Sequence, residues 1–238
     1  MTDQAASAQK SDLVTRVISA VVMVAVAGTA LWVGGPWLAL LIWTIAAGLL
    51  WEFWGLVRKM NLPIGERLLW MASGLLYIGA ACFGLLISPP ELRWLVVLVV
   101  IATDTGAYFA GRKFGGAKIA PEISPSKTWA GLYGGMIYAA LVMLVAFVKS
   151  KSSLIEGPDP ILNVIVQYPH TLFMMILAGL TLAILAQCGD FFESWMKRRA
   201  GVKDSGALIP GHGGLFDRLD GLLPVAIAAG IFTELVLL

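Results

Sequence analysis

The chain has 238 residues, of which 58% are hydrophobic and 13% charged, with a formal net charge of +2 and a mean hydropathy of +0.82. That balance excludes an ordinary water-soluble globular domain and points to an integral membrane protein, because apolar runs of the ~20 residues needed to cross a bilayer recur along the chain. No nucleic-acid partner is expected.

Residues 1–12 are polar and are expected to form a disordered tail. The first apolar run is of span length and is not a short leader core, so no cleavable signal peptide is expected. Seven spans follow: Val14–Val33, Trp37–Leu56, Leu68–Ile87, Leu92–Ala110, Trp129–Val148, Thr171–Phe191 and Leu222–Leu238. Residues 13–238 therefore read as one all-α polytopic domain. An odd span count puts the termini on opposite sides. With the N-terminus inside, the cytoplasmic segments collect fourteen of the seventeen Lys and Arg residues, and only Arg93, Lys149 and Lys151 fall outside. The two long cytoplasmic loops are 111–128 and 192–221. Cys82 and Cys188 lie in or beside spans without metal-ligand spacing and read as small buried apolar residues.

Four polar groups stand out against this background. Asp104, in Thr103-Asp104-Thr105-Gly106, is embedded in the fourth span, where an ionisable residue is a functional candidate by default. Ser124, Ser126, Lys127 and Thr128 form a donor cluster at the expected start of the fifth helix. A helix start binds anions through its free N–H groups, and the alternative is a plain N-cap with a juxtamembrane lysine. At the end of the sixth span, Asp190, Glu193, Ser194 and Lys197 recur at i, i+3, i+4 and i+7 and share one helical face. Arg198 and Arg199 follow, and Arg199 reads as a snorkelling helix end.

The segment Ser194–Asp220 reads SWMKRRAGVKDSGALIPGHGGLFDRLD. Lys203 offers a point charge to a phosphate, and the small residues around Gly206 and Gly211-His212-Gly213-Gly214 let backbone approach one closely. No Walker A loop or dinucleotide fingerprint is present. Asp217 and Asp220, i and i+3 apart, are two oxygen donors that repel unless a cation sits between them. That suits Mg2+, which binds through one or two carboxylates plus substrate phosphates. A helix N-terminus favouring acids accounts for one Asp but not for both.

On these residues the chain resembles the phosphatidate cytidylyltransferases, also called CDP-diacylglycerol synthases. Their signature runs Ser-x-apolar-Lys-Arg, four residues, Lys-Asp-x-small, then Pro-x-His-Gly-Gly-apolar-x-Asp-Arg-apolar-Asp, and Ser194–Asp220 meets it without departure. Thr103–Tyr108, Ser124–Thr128 and Gly189-Asp190 resemble the family too. The likeness spans about 100–238.

The resemblance implies transfer of CMP from CTP to phosphatidate, giving CDP-diacylglycerol and pyrophosphate with Mg2+. It also implies a homodimer, which Gly131, Gly134 and Gly135 would permit by close helix contact. Asp190, Asp217 and Asp220 would hold the metal, and such carboxylates also allow a second cation. Lys197, Arg198, Lys203 and Arg218 would bind the triphosphate and leaving pyrophosphate. Ser124, Lys127 and Thr128 would hold one phosphate, with Asp204, Gly213 and Gly214 in the substrate loop. His212 is either a donor to pyrophosphate or a loop-structuring residue. The expected place is the bacterial inner membrane, with membrane lipid around the spans and the site facing the cytoplasm. The alternatives are a CTP-dependent kinase of a lipid alcohol, which would release CDP, and an ion-coupled transporter with acids at broken helices.

Overall fold

A computed structural model describes residues 2–155, 159–211 and 213–237. Six of its helices are long and apolar enough to cross a bilayer. These are α1 (Thr2–Val33), α2 (Gly35–Lys59), α3 (Ile64–Ile87), α4 (Pro90–Phe114), α5 (Trp129–Ser152) and, after a short helix α6 (Pro160–Gln167), α7 (Pro169–Arg199). A one-turn helix α8 (Phe216–Leu219) leads into α9 (Leu222–Phe232), which closes on a π-helical turn at Thr233–Leu237. Prolines stand in the first turns of α2, α4, α6 and α7, where a missing N–H costs nothing.

The first six expected spans match these helices. The seventh is the shorter apolar helix Leu222–Val236. Helix α1 continues N-terminally to Thr2, through the segment expected to be a disordered tail. Helix α7 has 31 residues, about 46 Å of helix against a hydrocarbon layer of about 30 Å. Its last turns therefore run through 192–199, the start of the expected 192–221 loop, and continue the helical face expected from Asp190 to Lys197.

Among the described residues the fold is all-α apart from one antiparallel hairpin between α4 and α5 and an isolated bridge between Ile209 and Gly213. Strand β1 (Lys118–Ala120) pairs with β2 (Ser124–Thr128), Lys118 opposite Thr128 and Ala120 opposite Ser124. This corrects the placement of the Ser124–Thr128 cluster. Ser124 and Lys127 lie on a strand, and only Thr128 touches the start of α5, as its N-cap. The Thr128 hydroxyl accepts the Gly131 N–H at 3.1 Å, so one free amide N–H of the helix start is already satisfied.

The main apolar core lies where α2, α3, α8 and α9 meet, around Leu49, Phe53, Leu56, Ile78, Phe216 and Ala226. Helices α4, α5 and α7 pack instead through small residues, as membrane helices do when apolar side chains gain little over lipid. The Gly131, Gly134 and Gly135 stripe faces α4 of the same chain. A Cβ at Gly134 would collide with Ala110 and with the Gly106 carbonyl. The stripe is therefore taken up within the chain and does not supply a subunit contact. Trp70, Tyr77, Phe192 and Trp195 interleave on the other side of α7, with Trp70 and Trp195 centroids 5.5 Å apart. Cys82 is buried, but Cys188 is exposed on that side, against the expectation that both are buried.

Candidate functional site

The basic ends of α4 and α7, the hairpin and the α8 turn enclose a cavity of about 640 Å3. That size suits a small-molecule site, for which ~300–1,000 Å3 is usual. Its wall carries Asp104, Arg112, Ser126, Lys127, Thr128, Gln187, Asp190, Glu193, Lys197, Asp217 and Asp220. The i, i+3, i+7 face of α7 expected from Asp190, Glu193 and Lys197 thus points into one cavity. Gly189 makes the α7 approach possible, since a Cβ there would strike the Asp220 carbonyl.

Two electrostatic arrangements share this cavity. On the α8 side, every charge has partners. Lys197 Nζ donates to Asp217 Oδ1 at 2.7 Å and pairs with Glu193 Oε2 at 2.6 Å. Asp217 Oδ2 accepts the Ser205 N–H and the Gly214 N–H, each at 2.9 Å, and shares the single Ser205 hydroxyl proton, 2.9 Å away, with Glu52 Oε2. Burial pushes the Asp217 carboxyl up, but its bonds to Glu193, Lys197 and Ser205 outweigh that and hold it well below the usual carboxylate range.

On the hairpin side, Asp104, Asp190 and Asp220 gather with, among the described residues, one ion-paired cation, Lys127, which bridges to Asp190. The Ser194 hydroxyl makes a long contact to Asp190 Oδ1 at 3.5 Å, and Asp220 Oδ1 accepts the Gly221 N–H at 2.8 Å. Burial pushes the Asp220 carboxyl up to about 7; the charges of Asp190 and Asp104 add to this, while the Gly221 N–H and Lys127 oppose it.

Of the residues expected from sequence, Asp190, Lys197, Asp217, Asp220, Lys127 and Thr128 meet in this cavity. Ser124, Arg198, Lys203, Asp204, Gly213, Gly214 and Arg218 do not line it. The Arg198 Nε–H donates to the Ile123 carbonyl at 3.2 Å and ties α7 to the hairpin. Lys203, Asp204 and Arg218 are exposed beside the cavity. Gly214 is buried, and its N–H serves Asp217. His212 lies outside the described residues.

Ser126 of the expected donor cluster lies on the wall too, and Arg112 and Gln187 join it without having been singled out from sequence. Glu52 was missed as well. It is a buried carboxylate on α2 that accepts hydrogen bonds from the Ser205 hydroxyl and the Phe216 N–H. An acid inside the run Gly-Leu-Leu-Trp-Glu-Phe-Trp-Gly-Leu was the available signal.

Fold and cavity together define a polytopic helical membrane protein with a charged pocket at the basic ends of its spans. A family comparison narrows this class. The model of the cytidylyltransferase family matches residues 91–236, and the chain belongs to that family. It is 35% identical over 224 residues to the phosphatidate cytidylyltransferase of Rickettsia bellii, an alignment covering 92% of this chain and 89% of that protein. It is 39% identical over 169 residues to the phosphatidate cytidylyltransferase of Brucella suis, covering 68% of this chain. That alignment takes in 56% of the Brucella protein, so the chain spans a little over half the length of that relative. A protein of the same name from Haemophilus influenzae is 42% identical over 127 residues, 53% of this chain and 40% of its own length.

Proposed function

We propose that this protein transfers CMP from CTP to phosphatidate, releasing pyrophosphate and leaving CDP-diacylglycerol in the membrane. The observation that carries the reading is the cavity wall itself. It sets Lys127, Lys197 and Arg112 opposite a group of oxygen donors at the end of a membrane bundle, in a chain whose relatives bear this activity in their names. A phosphatidate oxygen attacks the α-phosphorus of CTP, and the bond to the bridging oxygen of pyrophosphate breaks in line. A phosphate monoester already carries close to two negative charges at neutral pH, so no general base is required of the protein. The work of the chain is positioning and charge neutralisation. Lys197, held at fixed position by Glu193 and Asp217, places an ammonium against the phosphates. Lys127 turns from Asp190 towards a phosphate oxygen when substrate enters. Arg112 adds a planar donor fork.

Among the described residues, no three His, Cys, Asp or Glu side chains form a ready-made metal cluster. The donor chemistry nevertheless fits Mg2+, which takes one or two carboxylates and completes its shell with phosphate oxygens and water. Asp190 and Asp220 are the ligands with oxygens to offer, and Asp104 beside them extends the donor set towards a second cation. The Asp217 carboxylate is already filled by Lys197, Ser205 and Gly214 and frames the site in place of binding metal. Bound Mg2+ would supply neutralisation of charge on the phosphate oxygens.

The basic helix ends beside the cavity support a site facing the cytoplasm from a bacterial inner membrane, where CTP is available. The test is incubation of purified protein with phosphatidate, CTP and Mg2+, following lipid and phosphate products. Matching amounts of CDP-diacylglycerol and pyrophosphate, abolished by chelation, are expected. Release of CDP with a lipid alcohol would replace the reading with a lipid kinase.

A further inference from the structure

Glu52 lies outside the family-matched segment, on α2, and is 3% exposed. Its neighbours in sequence are Trp51, Phe53 and Trp54. A buried carboxylate in such surroundings is costly unless its oxygens are paired. Oε2 is paired twice, and both partners belong to the signature segment: the Phe216 N–H at 2.8 Å and the Ser205 hydroxyl at 3.0 Å. Oε1 is buried without a hydrogen-bond partner, a cost that an apolar side chain would not carry. Stability alone does not account for this group.

The glycines of the signature segment fit around it. A Cβ at Gly206 would strike the Glu52 carboxylate, and one at Gly214 would meet the Ser205 hydroxyl and stand 2.7 Å from Glu52 Oε2. The small residue after Lys-Asp-x and the second glycine after His212 thus make room for a carboxylate from another helix. From Glu52 a continuous chain of contacts reaches the cavity. Ser205 and Gly214 hold Asp217, Asp217 and Glu193 hold Lys197, and Lys197 stands on the cavity wall.

We propose that Glu52 is a positioning residue for the reaction: through Ser205 and the Phe216 N–H it fixes the 203–216 segment on α2, and so sets where Asp217 places the Lys197 ammonium. The inference rests on the cytidylyltransferase reading above. Because its contacts are hydrogen bonds accepted by one oxygen, it depends on acceptor position and not on charge. Glu52→Gln keeps an acceptor at Oε2 and puts its NH2 where Oε1 has no partner. Glu52→Asp keeps the charge but draws the acceptor back by about one methylene, ~1.5 Å.

The experiment compares wild type, Glu52→Gln, Glu52→Asp and Glu52→Met as the full chain in nanodiscs. It measures CDP-diacylglycerol formation per folded protein and, separately, amide hydrogen exchange across 203–216. Glu52→Gln is expected within about threefold of wild type in kcat with unchanged exchange. Glu52→Asp and Glu52→Met should lose about 100-fold in kcat, the scale of a 1 Å misplacement, with KM for phosphatidate within about twofold and faster exchange in 203–216. Should Glu52→Met not fold, the order of Gln above Asp still decides. Glu52→Asp as active as wild type, or Glu52→Gln worse than Glu52→Asp, overturns the proposal, as does unchanged exchange in both Asp and Met variants. Wild type without turnover would overturn the functional reading instead, and the exchange comparison would still report on Glu52.

Discussion

The two sides of the cavity differ in how their charges are settled. On the α8 side Lys197, Glu193, Asp217, Ser205 and Gly214 close on one another through short contacts. On the hairpin side Asp104, Asp190 and Asp220 share a wall with one ion-paired lysine, and the Asp220 carboxyl is pushed up to about 7, chiefly by burial. The α8-side network is a frame: Lys197 and Asp217 are matched to their neighbours, and Glu193 Oε1 alone is left buried without a partner. Three carboxylates beside one paired lysine are the arrangement on which the proposed cation site rests. Two residues of one signature, Asp217 and Asp220, thus sit in different surroundings although sequence presents them as equivalent.

That contrast predicts a graded series. Asp220→Asn or Asp190→Asn should have the largest effect, a loss of CDP-diacylglycerol formation of about 1,000-fold that extra Mg2+ relieves only in part, read from initial rates against Mg2+ concentration. Asp217→Asn should lose about 100-fold while the half-saturating Mg2+ stays within twofold of wild type, because the lesion is in the frame. A large shift in Mg2+ dependence would show that Asp217 binds metal and would break the comparison. The same variant should also melt earlier by about 2–4 °C, since an amide nitrogen must face either Lys197 or the Ser205 and Gly214 N–H groups, at about 1 kcal/mol or more. Lys127→Ala should weaken CTP use roughly tenfold and at the same time tighten divalent-cation binding to the substrate-free protein, measurable by calorimetry, because it removes the one cation paired to the open side. Lys203→Ala, exposed and off the cavity wall, should have the smallest effect: a rise of a few-fold in KM for CTP, larger than the rise for phosphatidate. Equal shifts for both substrates would detach Lys203 from the nucleotide.

Much of this was legible in the chain. Hydropathy located six long spans, and the 3.6-residue period put Asp190, Glu193 and Lys197 on a common face before any coordinates. Both signals are local, which is why they survive without a fold. The position of Ser124 and Lys127 was misread because a short polar run before a helix looks the same whether it is a helix start or a strand. Pairing with Lys118–Ala120, a non-local contact, decided for the strand. The Gly131 to Gly135 stripe announced a close helix contact, but sequence could not say with which helix, and α4 of the same chain took it.

By itself, then, the sequence determined the membrane class, the helical faces and the family, because composition, period and motif spacing are properties of neighbouring residues. Only the tertiary structure decided which carboxylates are filled and which are open. Whether an Asp is a ligand or a girder depends on the donors that distant segments bring to it: Ser205 and Lys197 to Asp217, Asp104 and Lys127 to the surroundings of Asp220, and α2 with Glu52 to the loop that holds them.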